Sequence, residues 1–262
     1  MSLYHPNYII HPIPLFQSMG DKSRQTYLLN VGQQLPLFNY VWYIEGTKER
    51  ILIDAGGSAE YFRKFGISVE EIQTLDSGLE KVGVSFSDID LIILTHLHPD
   101  HIAQASRFPR AKFLIQKDEL EFGRSPHPAF APAYVKEFFE RLNFVTLNGD
   151  TKIYDGLSVM KTPGHSQGGQ SVCVQTAQGP IIISGLCTIR ENFEPPSPVS
   201  YIMSVADVIV PTIHTNVLEA YDSLIKIKGI ADIVLPLHDS YKNLADLDTN
   251  AVKFELPDKG EA

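Results

Sequence analysis

The sequence predicts a layered α/β fold, and three observations lead to that prediction. Each half of the 262-residue chain contains several short β-type runs, and segments with helical spacing flank them. No internal repeat, low-complexity segment or linker divides the chain, so a single domain is expected over residues 1–262. The length is sufficient to bury a large core, and the two cysteines, Cys173 and Cys187, are too few for a disulfide scaffold.

A proline-rich segment opens the chain, and we expect it to form an irregular arm over residues 1–39. Its apolar side chains are Tyr8, Ile9, Ile10, Ile13, Leu15 and Phe16. Such side chains need cover from water, which either the body of the same chain or a second copy in a homodimer would provide. The sequence leaves this choice open.

A hairpin and a helix are expected after the arm. Residues 41–45 and 50–54 are apolar runs on either side of a turn, which predicts two strands buried on both faces. Ser68 and Glu71 have the spacing of a capping box, and Gly83 lies where a glycine ends a helix. Between these signals, apolar residues recur at helical spacing at Ile72, Leu75, Leu79 and Val82.

The rest of the chain predicts further strands and helices. Strands are expected at residues 89–94, 112–115, 152–154, 157–161, 171–176, 180–184 and 233–235. Helices are expected near residues 102–106, from about 131 to 142, and after a cap formed by Asn216 and Glu219. The last helix is expected to bury Leu218, Tyr221, Leu224 and Ile225, and residues 245–262 read as a polar tail.

The charge and the N-terminal residues limit the expected partners. A formal net charge of −9 argues against nucleic acid and anionic membranes, because both recruit basic surfaces. The first residues have neither the basic nor the apolar part of a secretory signal, and no window approaches the ~18 apolar residues of a membrane span. We therefore expect a cytoplasmic protein that acts on a small molecule.

Three histidines and an aspartate fall within six residues, in the segment His96-Leu97-His98-Pro99-Asp100-His101. Imidazole nitrogen and carboxylate oxygen are the ligands that divalent transition metals prefer in such sites. The segment begins where a buried strand ends, which is where open α/β sheets bind their ligands. On an extended stretch His96 and His98 point the same way, and a turn would bring Asp100 and His101 toward a second point. The spacing therefore suits two adjacent cations.

Other candidate residues occur in loops after predicted strands. His165 and His238 would complete the ligand set, because a metal needs ligands from elsewhere in the fold. Asp54 ends a buried strand and is the candidate for orienting a ligand histidine by a hydrogen bond. Arg190 and His214 are candidates for binding a carboxylate of the substrate.

The chain resembles the metallo-β-lactamase superfamily, and within it the N-acyl homoserine lactonase-like group. The matching segments are Leu52-Ile53-Asp54-Ala55-Gly56, Thr95 to His101, Pro163-Gly164-His165-Ser166, and His238. The resemblance implies an αββα sandwich with two divalent cations at one edge, zinc first and iron or manganese as alternatives. It also implies the ligand roles: His96, His98 and His165 at the first cation, and Asp100, His101 and His238 at the second.

One feature of the family pattern is absent from this sequence. The family has an aspartate that bridges the two metals, directly after a glycine that follows a strand. Here the stretch reads Gly185-Leu186-Cys187-Thr188, so that Leu186 or Cys187 falls at the position of the aspartate. Cys187 replaces the bridging ligand in one interpretation, since a thiolate binds zinc or iron. In the others, the metals are held without a protein bridge, or the site has lost catalysis.

The resemblance implies a hydrolase that uses a metal-activated water to open a lactone, a cyclic amide or a small ester. Asp100 is expected to accept or relay the proton. Two alternatives remain at this point. One is a thioester hydrolase or sulfur dioxygenase of the same fold, and the other is a non-catalytic binding protein with a degenerate metal site.

Overall fold

Two β-sheets form the centre of the computed structural model, which describes residues 8–46, 48–196, 207–240 and 251–253. The larger sheet consists of β1 (Ile9–Asp21), β2 (Gln34–Glu45), β3 (Ile51–Ile53), β4 (Val69–Glu71), β5 (Leu91–Ile93), β6 (Lys112–Gln116) and β7 (Phe144–Leu147). The smaller sheet consists of β8 (Thr151–Tyr154), β9 (Leu157–Lys161), β10 (Gln170–Thr176), β11 (Gly179–Ile183) and β12 (Ile233–Leu235).

The strand order brings the carboxyl ends of several strands to one edge. The larger sheet has the order β4-β1-β2-β3-β5-β6-β7, and β3, β5, β6 and β7 run parallel. The smaller sheet has the order β12-β11-β10-β9-β8, in which β11 and β12 are parallel and the other pairs antiparallel. The loops that leave β5, β9, β11 and β12 carry the predicted site residues, and these loops meet at the edge of the two sheets.

Helices cover the outer faces of both sheets. They are α1 (Ala59–Lys64), α2 (Leu75–Lys81), α3 (Pro99–Ile102), α4 (Lys117–Arg124), α5 (Arg190–Phe193) and α6 (Val217–Lys228). Buried side chains form three apolar layers: one between the sheets, one under α1 to α4, and one under α5 and α6. In β2, for example, Trp42 lies between the sheets, whereas Val41 faces the helices. The predicted αββα sandwich is confirmed.

The prediction of an irregular arm over residues 1–39 is wrong for the described part. Residues 9–21 form β1, which pairs with β2 along its whole length and buries most of the arm's apolar side chains within the same chain. Prolines are tolerated here because Pro12 and Pro14 lie beyond the short contact with β4, which spans only Phe16 to Ser18 of β1. The edge position of this part of β1 explains why the proline content misled the prediction.

Two helix predictions are also wrong. The capping box at Ser68 and Glu71 does not form, because residues 69–71 pair with β1 as β4, and Thr74 caps α2 instead. The helix expected at residues 131–142 is replaced by two short 3-10 turns, Ala131–Ala133 and Lys136–Phe138. The predicted glycine after α2 is confirmed, since Gly83 has a φ of 74°.

The sequence also missed α1, α4 and β7, and it misjudged one face of α6. Leu218 is 73% exposed and Ile225 is 36% exposed, whereas Ala220, Leu224 and Ile227 form the buried face. The predicted tail, residues 245–262, lies mostly outside the described residues. Its described part, 251–253, is not loose, because Val252 is buried and pairs with Ile10.

Among the described residues, none of the helices has the length and apolar character needed to cross a bilayer.

Candidate metal centre

Five histidines and one aspartate meet at the edge of the two sheets. The ring centroid of His96 lies 4.5 Å from the centroid of His98, 4.3 Å from that of His101 and 4.7 Å from that of His165. The ring of His238 lies 5.5 Å from that of His101. Within this cluster, the potential ligand atoms of two sets lie within 4.8 Å of one another: His96, His98 and His165, and His96, Asp100 and His101. We call His96, His98 and His165 the first corner, and Asp100, His101 and His238 the second corner.

Hydrogen bonds at Nδ1 decide which ring nitrogens face the centre. The Nδ1 atoms of His165 and His238 lie 2.6 Å from the Ile213 carbonyl oxygen and 3.0 Å from the Phe38 carbonyl oxygen. A carbonyl oxygen only accepts, so each Nδ1 carries the proton in the neutral ring and each Nε2 has a lone pair. The Nδ1–H of His101 likewise donates to Oδ2 of Asp54, at 2.7 Å.

His96 is held in the same tautomer through Thr95. The Thr95 hydroxyl donates to Oδ2 of Asp54 at 2.9 Å and lies 3.0 Å from Nδ1 of His96. Because the hydroxyl proton goes to the carboxylate, the His96 Nδ1–H donates to the hydroxyl oxygen. The Nε2 atom of His96 therefore also directs a lone pair at the cluster.

The resulting arrangement leaves nitrogen lone pairs without protons between them. The Nε2 atoms of His96 and His165 are 3.2 Å apart, and each is an acceptor in the tautomer given by its Nδ1 contact. The buried Nε2 of His101 makes no hydrogen bond with a described residue, although Oδ2 of Asp100 lies 3.2 Å away. The facing lone pairs of His96 and His165 are costly without a cation, so these residues fit divalent metal ions.

The two corners differ in charge. In the first corner, burial and the neighbouring imidazoles lower the pKa of His96 and His165 well below its usual range, and burial lowers the pKa of His98 to about 4. In the second corner, burial would lower the pKa of His101, but the carboxylates of Asp100 and Asp54 outweigh it and raise that pKa. The first corner thus holds neutral imidazoles, the form that binds metals.

Asp54 occupies the place that the sequence predicts for it, beside a ligand histidine. It follows β3, is fully buried, and has a φ of 61°, a left-handed conformation that aspartate tolerates better than most residues. Its Oδ1 accepts the Thr95 backbone N–H at 2.7 Å, and its Oδ2 accepts from the Thr95 hydroxyl and from His101. Asp54 therefore supports the second corner directly and His96 through Thr95.

Asp100 is held through its backbone, and its carboxylate faces His101 and His238. The Asn39 side chain donates to the Asp100 carbonyl oxygen at 2.7 Å and accepts the Gly57 backbone N–H at 3.1 Å. The Oδ2 of Asp100 lies 3.6 Å from Nε2 of His238. Burial alone would raise the pKa of Asp100, but the facing histidines, His101 first, hold that pKa well below its usual range.

Glu119 is a buried residue of the site that the sequence analysis missed. It lies in α4, fully buried, and accepts backbone N–H groups from Leu97 at 3.1 Å and Gly168 at 2.9 Å. The Tyr134 hydroxyl donates to it at 3.2 Å. Burial raises the pKa of Glu119, although these hydrogen bonds oppose the shift. Glu119 thereby joins the loop of His96 and His98 to the loop of His165. The sequence signal for its helix was the pair of acidic residues directly after a strand, which is typical of a helix start.

A cavity of about 240 Å³ opens onto the cluster. Its polar wall includes Asn39, His98, Asp100, His165, Cys187 and His238. Cys187 is buried, and its Sγ donates to the Gln25 side-chain oxygen at 3.3 Å. Burial alone would lower the pKa of His238, but Cys187 and Asp100 outweigh burial, so that this pKa is raised. Leu186 points away, into the apolar layer under α5 and α6. Of the two residues at the position of the family's aspartate, Cys187 is therefore the one that faces the cavity.

The structure does not bring the two predicted carboxylate-binding residues to this cavity. Arg190 lines a different cavity, beside Phe193 and Asp232, and its backbone N–H donates to Asp239 at 3.0 Å. His214 packs its ring against Tyr27, and its Nδ1 lies 2.8 Å from the Pro211 carbonyl oxygen. Arg190 was predicted from its place after the Cys187 loop and His214 from its place before a helix, and neither position reports the direction of a side chain.

Comparisons with known proteins find relatives of similar sequence. An N-acyl homoserine lactonase of Bacillus cereus is 26% identical over 201 residues, which are 71% of this chain and 78% of that protein. N-acyl homoserine lactonase AttM of Azorhizobium caulinodans is 30% identical over 115 residues, 40% of this chain and 44% of that protein.

Solved structures show the same fold. A quorum-quenching N-acyl homoserine lactone lactonase superposes with a TM-score of 0.74 and 24% identity, over 92% of this chain and 95% of that one. An N-acyl homoserine lactone hydrolase with N-hexanoyl-L-homoserine at its catalytic metal centre gives a TM-score of 0.73 and 23% identity, over 92% and 96% of the two chains. The family model of the metallo-beta-lactamase superfamily matches residues 35–230. Since this match covers most of the chain and all of the corner residues except His238, the protein belongs to the metallo-beta-lactamase superfamily.

Proposed function

We propose that this protein is a metal-dependent hydrolase that opens a lactone, a cyclic amide or a small ester. The observation that carries the proposal is the convergence of unprotonated Nε2 atoms, those of His96 and His165 being 3.2 Å apart, beside a cavity that His98, His165 and His238 line. Curated relatives named as N-acyl homoserine lactonases support the lactone as the first substrate class to test. The expected partner is a small molecule, and cytoplasmic location and a homodimer stay predictions.

The two corners would hold two divalent cations, zinc first and iron or manganese as alternatives. His96, His98 and His165 would bind one cation, and Asp100, His101 and His238 the other. When bound, such cations supply a hydroxide nucleophile at neutral pH, by lowering the pKa of water to about 7, and polarise a carbonyl group.

The residues of the chain position the reaction and carry its proton. Asp100 is ionised, because its pKa is held low, and its side chain is 28% exposed. It is thus able to accept a proton at Oδ2 and to pass it to solvent through the cavity. Apolar side chains such as Phe16 and Phe38 line the same cavity, and they limit the water that reaches the substrate carbonyl.

We further propose that the thiolate of Cys187 is a ligand of the second corner and replaces the aspartate of the family pattern. Its place in the cavity wall and its effect on His238 support this assignment. A nearby metal would favour the thiolate form. Without a ligand at this position, the second corner would have Asp100, His101 and His238 alone.

The test joins metal analysis to activity. Purified protein supplied with zinc is expected to contain about two metal ions per chain and to open members of a panel of lactones, cyclic amides and small esters. Acid release follows the lactones and esters, and release of the amine follows the cyclic amides. His98→Ala should lower activity on the order of 10³-fold and reduce the metal content. His127→Ala is the matched control, because His127 is exposed in a loop and accepts only a local N–H at 3.2 Å.

Two results would contradict the proposal. Activity that survives His98→Ala would show that the corner residues do not perform the hydrolysis. Protein that binds no metal after supplementation would support the non-catalytic alternative.

A further inference from the structure

The wall of the cavity that opens onto the metal corners carries one cation. Arg24 lies at the cavity, and among the described lining residues it is the single arginine or lysine. Its side chain is exposed rather than buried in the protein. Within the described part of the chain, no ion pair or side-chain hydrogen bond involves the Arg24 guanidinium, whereas its neighbour Lys22 is paired with Glu191.

The backbone that carries Arg24 is anchored. Asp21 caps the 3-10 turn Lys22–Arg24 by accepting the Ser23 backbone N–H at 2.9 Å. The Arg24 carbonyl oxygen accepts the Thr212 backbone N–H at 3.1 Å. The next residue in that segment, Ile213, lines the cavity and accepts from His165. The position of Arg24 is therefore coupled to the first corner, as a specificity residue requires.

A second donor lies beside it. Gln25 is 1% exposed and lines the cavity, and its side-chain oxygen lies 3.3 Å from Sγ of Cys187. The amide nitrogen of this side chain makes no hydrogen bond with any residue in the described ranges. On a residue that lines a cavity, an amide nitrogen without a protein partner is a donor available to a ligand.

We propose that Arg24, with the Gln25 amide, binds a carboxylate of the substrate, so that the enzyme acts on lactones or esters that carry an anionic group. This inference rests on the proposed hydrolase function. The planar guanidinium matches a carboxylate in a bidentate pair. The single charge of Arg24 balances one carboxylate. A phosphate dianion would keep one charge unbalanced, and the Asp100 carboxylate, which lines the same cavity, would repel it. The apolar residues that line the same cavity, such as Phe38 and Ile213, would contact the carbon skeleton.

Two lactones that differ in one group test the proposal. γ-Valerolactone carries a methyl group where γ-carboxy-γ-butyrolactone carries a carboxylate, and ring opening releases acid from both. The zinc-loaded wild-type protein should prefer the carboxylated lactone. Arg24→Gln should lower kcat/KM for that lactone about 10- to 100-fold, mainly through KM, because a charged hydrogen-bonded pair is lost. Its effect on γ-valerolactone should stay within about twofold.

Matched variants separate binding from folding. Arg141→Gln removes an exposed arginine that lies outside the cavity and should behave as wild type. Arg24→Lys should restore part of the preference, since it keeps the charge but not the bidentate geometry. Equal activity on the two lactones in wild type, or an equal loss on both in Arg24→Gln, would overturn the inference.

Calorimetry with glutarate distinguishes this failure from a failure of the hydrolase function. If neither lactone is opened, the panel of lactones, cyclic amides and esters judges the hydrolase function, and binding alone judges the anion site. Glutarate should bind the zinc-loaded wild-type protein at least about tenfold more tightly than Arg24→Gln, with Arg141→Gln unchanged. Equal affinity for the wild-type and Arg24→Gln proteins would overturn the inference in that case as well.

Discussion

The two corners of the metal centre are supported in different ways. Around the first corner, Glu119 accepts backbone N–H groups, from Leu97 between the two ligand histidines and from Gly168 after His165. At the second corner, Asp54 accepts directly from the ring of His101. Both supporting carboxylates are fully buried. One therefore shapes the loops that carry the ligands, and the other orients a ligand side chain.

Because the two corners are supported differently, substitutions of the two carboxylates should change different properties of the protein. A buried carboxylate that holds two loops is part of the fold, so its loss should appear first in stability. A carboxylate that holds one imidazole sets the tautomer and orientation of that ring, so its loss should appear first in metal affinity. The following substitutions test this contrast, starting with the largest expected change in free energy.

Glu119→Gln should have the largest effect. The introduced amide group would face backbone N–H donors, which leaves buried donors unpaired, so the free energy of unfolding should fall by about 2–4 kcal/mol. Urea denaturation measures this change. Glu121→Gln on the same helix is the control, because Glu121 is exposed and its ion pair with Lys117 is long, at 3.7 Å. Equal stability of the two variants would contradict the conclusion that Glu119 supports the first corner.

Asp54→Asn should act mainly on the second corner. Asparagine tolerates the left-handed backbone, but it weakens the acceptor of the His101 Nδ1–H, so the affinity for the second metal ion should fall about 10- to 100-fold. Competition with a chelator, followed by metal analysis, measures this affinity. The exposed Asp76, paired with Arg107 at 2.7 Å, provides the control Asp76→Asn. If both ions are lost together in Asp54→Asn, the support of His96 through Thr95 matters as much as the hydrogen bond to His101, and the contrast between the corners fails.

Cys187→Ser should have the smallest effect on activity and a clear spectroscopic one. The cobalt-substituted protein should show a near-ultraviolet band from thiolate-to-cobalt charge transfer, which this variant loses. Activity should fall less than about tenfold, because Asp100, His101 and His238 remain. Cys173→Ser, in β10 of the smaller sheet, should keep the band. A band that persists in Cys187→Ser would favour the interpretation in which the metals are held without a protein bridge.

Much of this site could be predicted from local sequence. His96, His98, Asp100 and His101 are neighbours in the chain, and the strand before them is a continuous apolar run, so both the chemistry and its place at a sheet edge are visible in one segment. Asp54 was predicted for the same reason, since it directly follows β3. The prediction of Arg190 and His214 failed because the direction of a loop side chain depends on what packs around the loop.

The sequence by itself determined the strand pattern, the layered α/β class and the residues able to bind metal, because apolar periodicity and ligand chemistry are local properties. Tertiary structure decided that β1 joins the larger sheet, that Glu119 joins two ligand loops, and that Arg24 and Cys187 face the cavity with the histidines. Those facts depend on contacts between residues far apart in the chain, where pairing with β2 outweighs the proline content of β1 and burial outweighs the polarity of Glu119.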